Sequence, residues 1–131
     1  MTTVIVDIEG ELIPRAQARW PDAVVRDELD NELLNELPTI QITQVPAGEL
    51  AASRLARMLV DIDVYAATRQ AAFDLARETV TWVERELRGS STSTLTIGRA
   101  GVVTLPALRP YENTGLRRVG GTFEIFCHPV S

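Results

Sequence analysis

Hydrophobic and polar residues alternate from residue 56 to residue 66, and the apolar residues then change to a helical spacing. Alternation places every second side chain on the same face of a strand. One face holds Ala56, Met58, Val60, Ile62, Val64 and Ala66, and the other holds Leu59, Asp61, Asp63 and Tyr65. After Thr68 the apolar residues recur every three or four positions, at Phe73, Ala76, Val80, Val83 and Leu87. We therefore predict a strand followed by a helix that begins at the N-cap Thr68 and ends at Gly89.

The N-terminal half is predicted to hold one further helix and two strands. In residues 4–18 the apolar positions form a helical stripe, and Pro14 indicates either a kinked helix or two short ones. Trp20-Pro21 ends this segment, because the residue before a proline avoids the helical conformation. Residues 23–26 and 38–45 have strand patterns, and the acidic residues 27–36 between them are irregular, with one helical turn near residues 32–37. Residues 46–49 have the composition of a turn.

The C-terminal part is rich in β-branched residues and predicts two more strands. Residues 94–105 form the first, in which Gly98 and Gly101 mark a hairpin tip or a bulge. Residues 106–115 are predicted to be a long loop with two prolines, and residues 116–129 the last strand. Gly120-Gly121 in that strand indicates a bulge or a close backbone approach. Together the elements predict a single α+β domain over residues 1–131, with a mostly antiparallel sheet and two main helices packed on one face.

Composition narrows the class of protein. The chain has 131 residues, of which 45% are hydrophobic and 24% charged, as is ordinary for a soluble globular domain. No apolar run approaches the roughly 20 residues that span a bilayer, so we predict no membrane segment. The single cysteine, Cys127, excludes an internal disulfide and a cysteine-rich zinc site. A net charge of −5 argues against a protein that grips nucleic acid.

All 13 basic residues are arginine. A GC-rich coding genome explains this bias, and selection of arginine for bidentate pairs at interfaces is the alternative.

Candidate chemistry is sparse. Asp61 and Asp63 point to the same face of their strand, as an acid/base pair or a metal site would require, but no third ligand lies nearby in sequence. The alternative is that both acids pair with arginines on a neighbouring strand. His128 is the sole histidine, and the sequence contains no G-x-S-x-G nucleophile motif with which it could act. Cys127 alternates with Phe123 and Ile125 and is therefore predicted to face the core. We predict no catalytic residues, no metal and no cofactor.

The second helix carries more apolar surface than one sheet needs. Phe73, Val80 and Leu87 point in one direction, while Leu75 and Trp82 point almost opposite. The apolar arc spans about half the circumference, whereas a stripe of about 100° is enough to sit on a sheet. Either the first helix covers Leu75 and Trp82, or a neighbouring subunit does.

Several sequence motifs together resemble those of a known protein family. The strand VDIDVYA at residues 60–66, the Thr-Arg pair at 68–69 and the alanine-rich helix after it are similar to tail terminator proteins of long-tailed phages of actinobacteria. The motif RWPD at residues 19–22, the strand LPTIQITQV at 37–45 and the loop RPYEN at 109–113 agree in order and spacing. The resemblance covers nearly the whole chain; it departs at Pro14 and in residues 27–36.

The resemblance implies an assembly role and no enzymatic activity. Tail terminators form a hexameric ring that caps the tail tube, stops its growth and joins the tail to the head connector, with DNA passing through the lumen. The expected partners are other copies of the chain, the major tail tube protein and the connector or stopper protein, with DNA only as passing cargo. The protein is then expected in the neck of the virion, after assembly in the host cytoplasm. An acidic lumen would let DNA slide.

The predicted subunit interface comprises Leu75, Trp82, Arg69, Arg109 and Tyr111. The loops at residues 27–36 and 106–115 and the turn at 46–49 are the expected contacts between rings. The nearest alternative is another neck protein, a head-completion or stopper subunit. A small enzyme using Asp61 and Asp63, and a regulatory protein that binds host targets, are alternatives from other classes.

Overall fold

The computed structural model describes residues 5–50 and 55–130, with the side chains of residues 47–49 left out. It contains two helices and one five-stranded sheet. The helices are α1, Ile8–Arg19, and α2, Arg69–Thr81, which continues as a π-helical segment, Trp82–Leu87. The strands are β1, Val24–Arg26; β2, Thr39–Leu50; β3, Ala56–Ala66; β4, Leu95–Arg109; and β5, Arg117–Pro129. A 3₁₀ turn, Leu33–Asn35, lies between β1 and β2, and the Leu37-Pro38 peptide bond is cis.

The sheet has the strand order β1-β2-β3-β5-β4, and every pair is antiparallel except β1 and β2. β3 lies at the centre and pairs along its whole length with β5, from Ala56 opposite Cys127 to Ala66 opposite Arg117. This architecture confirms the predicted α+β class with a mostly antiparallel sheet. The bounds of β3 also match the residues where the alternation begins and ends.

Helix α1 runs without a break through Pro14. The Asp7 side chain accepts a hydrogen bond from the Gly10 amide at 3.0 Å, which caps the first turn. Ile8, Leu12 and Ala16 are fully buried, and this burial offsets the backbone hydrogen bond that the proline cannot donate. The predicted stripe also included Ile5, which precedes the helix and is exposed. Residue 4, where the predicted segment began, lies outside the described residues.

Two segments that were predicted as connections are wholly or partly in strands. Residues 46–49 were expected to form a turn, but β2 extends to Leu50, with its register shifted between Val45 and Glu49. Residues 106–115 were expected to form one loop, but β4 continues to Arg109. In both places the proline or glycine that predicted the end of a strand lies in a bulge, and the strand pairing resumes after it. The prediction at Gly98 and Gly101 is resolved as a bulge, between Ile97 and Ala100.

Gly121 allows β4 to lie close to β5 where β4 contains Pro106. A Cβ atom at Gly121 would stand 2.8 Å from the carbonyl oxygen of Thr104 and 3.0 Å from the nitrogen of Pro106. β4 is an edge strand, and Pro106 lies within the register shift between Thr104 and Ala107. A proline, which has no amide hydrogen to donate, is tolerated at such a position. The predicted close approach at Gly120-Gly121 is thus confirmed.

The sheet is covered on both faces at one end. The main core lies between the helices and the apolar face of β3 and β5, where Val60, Val64, Phe123 and Ile125 are fully buried. On the opposite face, the chain around the 3₁₀ turn and the loop before β5 enclose a smaller cluster. Its members are Leu29, Leu33, Leu37, Tyr65, Tyr111 and Leu116. The acidic segment 27–36 is therefore anchored by its leucines. Within the described residues, no helix is long and apolar enough to cross a membrane.

Replacing Gly121 by alanine is expected to destabilise the domain by about 1–3 kcal/mol, because the β4 backbone must shift away from the new methyl group. The matched control is Gly101→Ala in β4, where no heavy atom lies within 4 Å of the added Cβ. That variant is expected to be neutral or slightly stabilising, since alanine loses less backbone freedom than glycine. Urea unfolding followed by circular dichroism measures both. Equal effects would contradict the close approach.

Stability is expected to fall at alkaline pH. Burial raises the pKa of the Cys127 thiol from 9.0 to about 11, and burial raises the pKa of the Tyr65 hydroxyl from 10.0 to about 12. Between the unfolded and folded values, the unfolded chain binds fewer protons than the folded protein, so ionisation favours unfolding. The free energy of unfolding should be flat below about pH 9 and then decline, by at most about 1.4 kcal/mol per pH unit for each group.

Urea titrations between pH 8 and pH 12 measure this decline. In Cys127→Ala the decline should begin one pH unit higher, near the unfolded pKa of tyrosine. An unchanged onset would show that the thiol is not buried as described.

Candidate functional site

The Asp63 carboxylate lies at the centre of an ion-paired cluster on the sheet face opposite the helices. Its side chain is only 4% exposed. Arg109 Nη1 donates to Oδ1 at 3.0 Å, and Arg118 donates to the two carboxylate oxygens through Nε at 3.2 Å and Nη2 at 3.1 Å. Burial disfavours the charge on Arg118, but the hydrogen bonds and charge of Asp63 outweigh it and raise the pKa of the guanidinium. The cluster joins β3, β4 and β5.

The Asp61 carboxylate also contacts neighbouring strands, but it is less buried than that of Asp63. Its carboxylate accepts a hydrogen bond from the Thr122 hydroxyl, and Arg109 Nη2 lies 3.9 Å away. Both acids are therefore engaged by neighbouring strands, which confirms the interpretation that they pair with arginines. Both oxygens of the buried Asp63 accept hydrogen bonds from arginine, so this carboxylate lacks the free position that an acid/base pair or a metal site needs.

Gly120 makes room for this cluster. A Cβ atom there would collide with the Asp63 carboxylate and would stand 3.1 Å from Arg109 Nη1. The sequence signalled a close approach at Gly120-Gly121 but did not identify the partner, because Asp63 and Gly120 are separated by 57 residues and meet only through the β3–β5 register.

Aromatic residues extend the cluster towards the smaller core. The Tyr65 hydroxyl donates to Gln41 Oε1 at 2.8 Å, and the Tyr65 and Tyr111 rings meet edge to face at 5.3 Å. Arg118 also lies over the Tyr65 ring, at 5.9 Å. Two residues of the predicted subunit interface therefore make contacts within the protomer: Tyr111 with Tyr65, and Arg109 with Asp63.

Helix α2 presents two apolar flanks on either side of its buried stripe. The stripe consists of Ala72, Ala76, Thr79 and Val83, which are buried. Trp82 on the first flank is 3% exposed, and its ring meets that of Trp20 edge to face at 5.3 Å. Leu75, on the same flank, packs partly buried against the core. Trp20, the residue that follows α1, therefore covers Trp82 inside the protomer, which is one of the two alternatives that the sequence left open.

The second flank of α2, with Phe73 and Val80, borders an open groove. The groove lies between α2 and the distal half of β4, has a volume of about 370 Å³ and is lined by Phe73, Ala76, Arg77, Val80, Leu105 and Pro106. On the same strand, Leu105 is 72% exposed, and Val103 and Leu108 are each 49% exposed. Such a run of exposed apolar side chains on an edge strand is unusual for a monomer and typical of interaction surfaces.

Arginines stand at the rim of this groove. The guanidinium of Arg69 lies 4.7 Å from the centre of the Phe73 ring, and that of Arg77 lies 6.0 Å from it. Arg77 also pairs with Asp74 at 2.8 Å but remains 70% exposed. Arg69 is the one predicted interface residue that lies at the groove. We call the groove, its arginines and the exposed residues of β4 the β4 surface.

The sequence left open what covers Leu75 and Trp82, and it did not indicate that the flank of Phe73 and Val80 is open. A helical wheel shows that Phe73 and Val80 lie opposite Leu75 and Trp82, but it does not show which flank the first helix covers. A usable signal lay in β4, where Val103, Leu105 and Leu108 are apolar although a loop was predicted for residues 106–115.

Other candidate chemistry remains isolated in the structure. His128 is exposed, with Nδ1 3.2 Å from the carbonyl oxygen of Pro129, and Cys127 is buried in the main core. Over residues 5–50 and 55–130, no group of three or more histidine, cysteine or acidic side chains has a metal-binding arrangement.

Asp63→Asn is expected to destabilise the domain by about 2–4 kcal/mol, because the partly buried Arg118 loses its carboxylate and Arg109 keeps only the 3.9 Å contact with Asp61. Asp61→Asn is the control. The Asp61 side chain is 32% exposed and its ion pair is long, so its loss should cost less than about 1 kcal/mol. Urea unfolding at pH 7 separates the two. Similar values for both would contradict the central position of Asp63.

The chain matches no family model and no curated protein.

Proposed function

We propose that the protein is a phage tail terminator, which forms a hexameric ring at the end of the tail tube and joins the tail to the head connector. The proposal rests on the resemblance of the motifs and on one structural observation, the β4 surface. An assembly protein of this kind needs apolar surface that remains open in the monomer, and the β4 surface supplies it.

The rest of the molecule is compatible with a structural role. The acids that a small enzyme would use are bound by arginines, and the strand positions of the family motif form the centre of the sheet. In a ring the subunit contact is heterologous, so one subunit must offer two different surfaces. The protein would reside in the neck of the virion after assembly in the host cytoplasm, with the tail tube protein and the connector as partners and DNA as passing cargo.

The other candidate is a head-completion or stopper subunit of the same neck. It shares the requirement for an open apolar surface, and its position in the particle distinguishes it from a terminator.

The test is imaging of the purified protein by negative stain, alone and after mixing with tail tubes, together with mass determination by light scattering. We expect six-fold rings that cap tubes at one end. Antibody labelling of particles then locates the protein at the tail-proximal side of the neck for a terminator, and at the head-proximal side for a completion or stopper subunit. A protein that stays monomeric and is absent from particles would overturn the proposal.

A further inference from the structure

The net charge of the chain is confined to one segment. Residues 22–36 contain six carboxylates and one arginine, and the remaining twelve carboxylates balance the remaining twelve arginines. Asp22, Asp27 and Glu28 are exposed and form none of the ion pairs found among the described residues. Asp30 and Glu36 pair with Arg26, at 3.0 and 2.8 Å. The segment therefore presents a strongly negative surface, which we call the acidic surface.

The acidic surface lies next to β1, at the edge of the sheet opposite β4. The backbone of β1 is closed to a further strand, because Gln17 Oε1 accepts from the Val25 amide at 3.1 Å and Gln17 Nε2 donates to the Ala23 carbonyl at 2.7 Å. At the other edge, Pro106 and three register shifts interrupt β4. Neither edge is suited to extending the sheet, so we expect a contact between copies at these edges to use side chains.

The acidic surface also carries an apolar side chain that fits the groove. Leu34, in the 3₁₀ turn, is 51% exposed and lies between Glu32 and Glu36 in sequence. A cavity of roughly 150 Å³ is enough for a benzene ring, so the groove of about 370 Å³ accommodates a leucine side chain. Arg69 and Arg77 lie beside the groove; Arg77 shares its charge with Asp74, and Arg69 forms none of the ion pairs found among the described residues. Their positive charge complements the acids that are close to Leu34 in sequence.

We propose that the occupant of the β4 surface is the acidic surface of a second copy, with Leu34 entering the groove and Arg69 and Arg77 facing Asp27, Glu28 and Glu32. Two different surfaces on opposite edges of one sheet make a heterologous contact, which generates a ring when the rotation closes. The inference rests on the proposed function for the closure into a ring, but the contact itself is specific to the residues of this chain.

A charge exchange tests the contact directly. One variant carries Arg69→Glu and Arg77→Glu, and the other carries Asp27→Arg and Glu28→Arg. Each alone should self-associate more than about tenfold more weakly than the unaltered protein, because like charges then face each other. An equimolar mixture should recover assembly, since every contact in an alternating ring again joins opposite charges. Light scattering after size exclusion reports the mass, and circular dichroism confirms that each variant is folded.

Matched controls separate this contact from general effects of charge and apolar surface. Arg85→Glu with Arg88→Glu makes the same change at the far end of the helix, where both arginines are exposed, and should assemble normally. Leu34→Ser should weaken assembly, whereas Leu50→Ser should not, although both leucines are 51% exposed.

The outcomes distinguish the two proposals. Assembly by either charge variant alone, or a mixture that fails to recover, would overturn this contact while leaving a ring of the unaltered protein intact. Variants of the β4 surface that still form rings but no longer cap tail tubes would assign the groove to the tube protein instead, which also overturns it. An unaltered protein that remains monomeric and does not bind tubes overturns the proposed function as well.

Discussion

The distal half of β4 depends on the ion pairs of Asp63. Pro106 and two register shifts interrupt the ladder between Val102 and Ala107, so backbone pairing alone holds this stretch weakly. Arg109, just beyond the interruption, is held at 3.0 Å by a carboxylate from the central strand, and Gly120 leaves the space for that contact. Because a buried carboxylate without its arginines would be costly, the cluster positions the end of β4 against the sheet. Leu105 and Pro106, which line the groove, lie on the stretch held in this way.

Helix α2 shows how one amphipathic helix can serve two purposes. Its buried stripe of small residues allows it to lie close to the sheet, and this leaves the larger side chains on the two flanks. The Trp82 flank packs against α1 and Trp20 inside the domain. The flank of Phe73 and Val80 borders the groove beside β4, and no second helix covers it among the described residues. The wide apolar arc is thus divided between folding and a surface available for assembly.

The acidic segment, residues 22–36, likewise combines buried apolar side chains with exposed charged ones. Leu29, Leu33 and Leu37 pack into the smaller cluster, while Asp27, Glu28, Asp30 and Glu32 are exposed. Acid-rich segments without apolar anchors tend to remain unfolded in solution. Here the alternation of leucines and acids within residues 28–37 gives a fixed loop with a strongly negative exterior. A fixed charged surface is more useful for specific association than a disordered tail, because less conformational entropy is lost on binding.

The local elements could be predicted from the amino-acid sequence alone. The alternation over residues 56–66, the N-cap Thr68 and the positive-φ Gly89 (φ 75°) predicted β3 and α2 with their bounds, because these signals act between near neighbours. The pairing of Asp61 and Asp63 with arginines also followed from their shared face, but the identity of Arg109 and Arg118 did not. Three features became apparent only in the folded chain: the flank of α2 that is covered, the contact of Gly120 with Asp63, and the position of Pro106 in a strand. Each of these depends on contacts between residues far apart in the chain, which periodicity and spacing do not encode.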